Sequence, residues 1–132
     1  MKTILFTILL LLISNFSFSQ ATSEVPFQNI STDSAVTYRL FSTRNMYTFI
    51  KLDTRNGGMW QVQWNTKGRE YRFESILSGI SRVDETDEKN GRFFLYPTTN
   101  IYNFILLDQL DGRVWQVQWS MDVNDRMVLP IY

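Results

Sequence analysis

The sequence predicts an all-β fold of two four-stranded antiparallel meanders, packed as a pseudo-two-fold sandwich or closed into a barrel. Three observations carry that expectation. The first is an internal repeat: residues 38–64 align without gaps to residues 93–119, at an offset of 55, with 14 of 27 positions identical. A repeat of this length is read before any shorter motif because it sets the architecture. The second is the alternation of large apolar and polar residues in Trp60-Gln61-Val62-Gln63-Trp64 and again in Trp115-Gln116-Val117-Gln118-Trp119. Period two is the pattern of a strand with one covered face. The third is the placement of Asn56-Gly57 and Asp111-Gly112 between apolar runs, where glycine supplies the positive φ of a hairpin turn.

In chain order, residues 1–19 read as a secretory signal: Lys2, an apolar run from Ile4 to Ile13, and Ser17-Phe18-Ser19 before a cut at Gln20. The run is about half of what a bilayer-spanning helix requires, and no second one follows. The mature chain is therefore expected to avoid membrane insertion and to reside in the periplasm or outside the cell. Residues 20–36 are polar and read as a flexible arm. Residues 37–132 form one domain. Repeat 1 spans about 38–77, with strands expected at 38–43, 46–52, 60–64 and 71–77. A connector follows over 78–91, carrying the acidic cluster Asp84, Glu85, Asp87 and Glu88 and ending in Asn90-Gly91. Repeat 2 spans about 92–132, with strands at 92–96, 101–107, 115–119 and 126–131. Eight short strands with regular turn signals imply a sandwich or barrel. A propeller is disfavoured, because two blades do not make a ring unless several chains assemble it.

Composition narrows the chemistry. The 132 residues hold no cysteine and no histidine, which excludes disulfides, His/Cys zinc sites and every Ser-His or Cys-His catalytic arrangement. Thirteen basic residues balance thirteen acidic ones, without the basic stripe that nucleic-acid binding requires. No phosphate loop, serine elbow or metal-ligand cluster stands out, so neither a cofactor nor a metal is expected. A glycosidase would need two carboxylates facing one cleft, and repeat-equivalent Asp53 and Asp108 fall far apart at turns. These two, with Gly57 and Gly112, read first as turn formers.

The repeated pentapeptides supply the candidate binding residues. Trp60, Trp64, Trp115 and Trp119 share a strand face with Val62 and Val117, and read first as the core that glues the halves. Their second reading is an aromatic surface that stacks on a ligand. Gln61, Gln63, Gln116 and Gln118 fall on the opposite face, either as a cross-strand amide ladder or as a polar ligand surface. A recent duplication would also preserve all of them.

The strings from Tyr47 to Trp64 and from Tyr102 to Trp119 resemble the LDxxxGxxWQVQW repeats of small uncharacterised secreted proteins of Bacteroidota-type bacteria. That resemblance covers the mature domain and implies a Gram-negative envelope location, with no known activity. The turn before Trp60 and Trp115 is also similar to the tryptophan motif of quinoprotein propellers. Gly57 and Gly112 stand three residues before the Trp where that motif has four, so no cofactor carries over. Bacteria of the first kind O-glycosylate exported proteins at sites that Asp33-Ser34-Ala35 resembles, which marks Ser34. The function expected is an exported, non-enzymatic protein that binds a glycan, a peptide or an envelope partner. The competing expectations are an assembly protein that oligomerises through sheet edges and, behind it, a small glycan hydrolase.

Overall fold

The computed structural model describes residues 33–132; the leader expected over residues 1–19 and most of the arm expected over 20–36 lie outside the described residues. Eight strands follow in order: β1 (Tyr38–Ser42), β2 (Thr48–Asp53), β3 (Met59–Gln63), β4 (Phe73–Ser78), β5 (Phe93–Pro97), β6 (Asn103–Asp108), β7 (Val114–Gln118) and β8 (Met127–Ile131). They form two antiparallel meanders, β1-β2-β3-β4 and β5-β6-β7-β8. The sheets stack as a sandwich and do not close into a barrel. No helix among the described residues is long and apolar enough to cross a membrane.

Much of the repetition is explained by turn chemistry that both copies share. In the β1–β2 turn the Thr43 hydroxyl donates to the Thr48 carbonyl at 2.8 Å, and Asn45 Oδ1 accepts from the Tyr47 amide at 2.9 Å. Thr98 and Asn100 do the same for Asn103 and Tyr102 at 2.8 and 2.9 Å. The indoles complete this corner: Trp64 Nε1 donates to the Met46 carbonyl at 2.8 Å and Trp119 Nε1 to the Ile101 carbonyl at 3.0 Å. The second Trp of each pentapeptide, just past the end of β3 or β7, thus pins the neighbouring β1–β2 or β5–β6 turn. The polar ends of both rings are satisfied, as the burial of Trp119 requires.

The β2–β3 and β6–β7 turns are built as expected around Asp53 and Asp108. Each carboxylate accepts from a turn amide, that of Arg55 at 2.9 Å and that of Leu110 at 3.0 Å, and Gly57 and Gly112 have φ of 80° and 81°. The two glycines differ in surroundings. A Cβ at Gly57 would sit 3.2 Å from Phe93 and from Arg82, whereas at Gly112 it would meet nothing within 4 Å. Gly112→Ala is therefore expected to cost only the left-handed backbone penalty, about 1–2 kcal/mol. Gly57→Ala also crowds Arg82 and the buried Phe93 ring, which must give by a few tenths of an ångström, and should lower the melting temperature further; equal losses in thermal unfolding would contradict this packing.

The core is where the structure departs from expectation. In the first sheet the covered side chains are Phe41, Ile50, Leu52, Met59 and Leu77, the face that also carries Gln61. In the second they are Phe93, Leu95, Phe104, Leu106, Val117 and Trp119, the face of the tryptophans. These form one hydrophobic cluster, with β2 against β5 and β4 against β8. An exact two-fold axis would bury the same face of both repeats. The chain instead lays the glutamine face of repeat 1 on the tryptophan face of repeat 2, a head-to-tail relation between the halves.

The described end of the arm is tied down. The Asp33, Ala35 and Val36 carbonyls accept from Arg39, Asn90 and Thr54 at 2.6, 2.9 and 2.8 Å. Ser34 is exposed in this turn, against Gly91.

Candidate functional site

The eight pentapeptide residues do not form one surface. Trp119 is buried and Trp115 half-buried within the sandwich, while Trp60 and Trp64 lie on the outer side of the first sheet, Trp64 at 39% exposure. The expectation that all four indoles turn inward therefore holds for repeat 2 alone. Among the glutamines the order inverts. Gln61, at 3% exposure, is enclosed between the sheets, where its Oε1 accepts from the Ser120 amide at 3.1 Å. Gln63 is half-buried. Gln116, on the outer side, donates to Asn103 Oδ1 at 2.9 Å, and Gln118 donates to the Asp125 carbonyl at 2.8 Å. Gln61, Gln116 and Gln118 thus bond to other partners, and no amide ladder forms among the described residues.

A site of which the sequence marked only part, the acidic cluster that includes Asp84 and Asp87, lies at the hairpin-tip end of the repeat junction. It is a cleft of about 460 Å³ lined by Ser81, Arg82, Val83, Asp84, Asp87, Arg92, Asp111 and Arg113. The connector supplies one wall and the β6–β7 turn the other. Arg82 anchors the junction: its Nη1 donates to the Gly57 and Ile80 carbonyls at 2.9 and 2.8 Å, and its Nη2 to Ser78 Oγ at 3.0 Å. Its guanidinium lies over the Trp115 ring, 5.6 Å from the centroid, with Arg113 at 5.3 Å. Burial pulls the Arg82 pKa down from its ordinary value, as desolvation of a cation must.

The floor of the cleft is an ion-pair network. Arg92 clamps Asp108 through Nε at 3.0 Å and Nη2 at 2.8 Å, a two-pronged pairing. Arg113 Nε donates to Asp111 Oδ2 at 2.6 Å, and Arg92 Nη2 stands 3.5 Å from the same oxygen. Burial alone would raise the Asp108 pKa. The hydrogen bonds from Arg92 and from the Leu110 and Asp111 amides, with the Arg92 charge, outweigh it and hold the carboxyl below its ordinary value. Hydrogen bonding to Asp108 in turn raises Arg92.

Two signals could have pointed to this site. Arg113 stands where repeat 1 has Gly58, and Arg92 where the first repeat has Thr37, so the repeat breaks at the residues that line the cleft. Among the described residues no group of acidic side chains is arranged to hold a metal ion.

Fold and site together define an all-β protein of two head-to-tail repeats with a mixed-charge cleft at their junction. No family model, no curated protein and no solved structure matches the chain.

Proposed function

We propose that the chain is an exported, non-enzymatic binding protein that takes a glycan in the cleft at the repeat junction. The observation behind this reading is the lining: three arginines and three aspartates whose charges cancel, around a space of about 460 Å³. That volume is in the range of small-ligand sites. A hydroxyl both donates and accepts, so a guanidinium beside a carboxylate suits a neutral, hydroxyl-rich ligand, whereas a charged one is repelled by half the lining. Export to the envelope or exterior rests on the leader in residues 1–19.

Hydrolysis draws less support, because the Asp111 carboxylate is already engaged by Arg113 and Arg92. Assembly through sheet edges draws less support too, since Pro97 in β5 and Pro130 in β8 remove ladder donors from two of the outer strands.

Calorimetric titration of the exported chain with a panel of neutral and acidic oligosaccharides tests the reading. A neutral glycan should bind, and Asp84→Ala or Arg113→Ala should each weaken it about tenfold, the loss of one charged hydrogen bond, without moving the melting temperature appreciably. No glycan bound, or both variants binding like the parent, would refute it. A peptide or envelope protein captured in the cleft instead would replace the ligand class.

A further inference from the structure

The contact between the two repeats is heterologous: the glutamine face of the first sheet meets the tryptophan face of the second. The described residues leave the complementary faces uncovered, and both continue that interface outward. On the outer side of the second sheet, Tyr96, Ile105, Leu107 and Gln116 occupy the places that Phe41, Ile50, Leu52 and Gln61 hold in the core. On the outer side of the first sheet, Leu40, Trp60, Val62 and Trp64 occupy the places of Leu95, Trp115, Val117 and Trp119. Tyr38 and Leu40 are 51% and 50% exposed, though their counterparts Phe93 and Leu95 are fully buried. A small domain rarely leaves apolar faces of this kind on both outer sides without a partner.

Three of the polar bonds that cross the repeat junction have matching groups on the outer faces; that of Arg44 to the Thr98 carbonyl has none, since Thr99 stands in place of Arg44. Within the chain the Phe93 amide donates to the Thr54 carbonyl at 2.8 Å, the Ser120 amide to Gln61 Oε1 at 3.1 Å, and Arg126 Nη1 to the Ile76 carbonyl at 2.8 Å. The matching donors are Tyr38, Asn65 and exposed Arg72 on the first sheet. The matching acceptors are Gln109, Gln116 and Pro130 on the second. Each outer face therefore carries one half of a junction that the molecule already makes once.

We infer that the occupant of these faces is a second copy of this chain, joined head to tail so that the outer face of its first sheet covers the outer face of the preceding copy's second sheet. The interface in the chain is the template: β6 of one copy lies against β1 of the next as β2 lies against β5. A heterologous contact closes into a ring when its rotation divides a full turn. Rings of radially packed four-stranded sheets hold roughly four to eight of them, so two to four chains complete one. The faces depart from the template at a few places: Phe94 stands where the covered junction holds Arg39, Asn103 where it holds Thr48, and the ion pair of Lys51 and Glu74 stands on the outer face where the second repeat has Leu106 and Val128. Since both members are present and already paired, the interface can cover them without isolating a charge.

The full chain, exported and purified, is weighed by light scattering across a hundredfold range of concentration. The expected mass is a fixed multiple of two to four chains. Leu40→Glu and Tyr96→Glu each spoil one face and should each give a folded monomer by circular dichroism. Mixed, they should form a dimer containing one of each variant, because each retains the face that the other has lost. A parent chain that stays monomeric throughout, or grows without a limiting mass, overturns the inference. So does either variant alone remaining a dimer, since a face that mates with itself is two-fold and not head to tail.

Discussion

Asp108→Ala is expected to destabilise the chain by about 3 kcal/mol, as breaking a buried ion pair from one side commonly does. The carboxylate is fully enclosed, and its partner Arg92 has a side chain only 11% exposed. Truncation leaves that guanidinium with the Asp87 carbonyl and a more distant Asp111, and strips the Leu110 amide of its acceptor. The repeat supplies the control. Asp53 pairs with Arg55, whose side chain is 38% exposed and returns to water when its partner is lost, so Asp53→Ala should cost less. Denaturant melts of the two variants decide it, and equal losses would contradict the asymmetry of the two turns.

The same carboxyl gives stability a pH dependence whose sign is set by its lowered pKa. A group held below its unfolded value of about 3.9 stabilises the fold fully above that pH. Its contribution fades as pH falls through the folded pKa, when protonation frees Arg92. The melting temperature should therefore be level with respect to this group above about pH 5 and decline below about pH 4. Asp108→Asn should flatten that decline, which thermal scans from pH 2 to 7 would show.

What was legible in the sequence is what local chemistry decides. Glycine at positive φ, aspartate at the turn and alternating side chains place every strand within a few residues, because each signal acts within one hairpin. The side of each sheet that is covered was not legible from the pentapeptide. Trp60 to Trp64 is identical to Trp115 to Trp119, yet the two copies bury opposite faces, so no property of those five residues encodes the choice. The choice is written in their neighbours across the sheet. Lys51 and Glu74 flank the Trp60 face, whereas Leu106 and Val128 flank the Trp115 face. The cleft was hidden for a related reason: one wall is the connector, which belongs to neither copy, and the other is Arg92, Asp111 and Arg113, at which the two copies differ, so a search for repetition passes over both.

Exchanging residues across that one difference tests the head-to-tail packing directly. Leu106 is fully buried between the sheets, and Leu106→Lys would bring an ammonium among Leu95, Trp115 and Val117 with no carboxylate beside it. Burying an unpaired charge while losing the leucine contacts should cost about 4 kcal/mol or more, enough to unfold a marginal domain. The reverse exchange at the equivalent position, Lys51→Leu, removes an ion pair at 2.5 Å whose members are 30% and 42% exposed. Exposed pairs contribute about 1 kcal/mol at most, so the folded monomer should barely notice. Because the exchange leaves Glu74 without its cation where the next copy would cover it, association should strengthen only when Glu74→Val is made with it, giving the pair of residues that the covered junction carries. If the two substitutions destabilised the chain equally, the sheets would be packed through equivalent faces, and the self-association drawn from their inequivalence would have no basis.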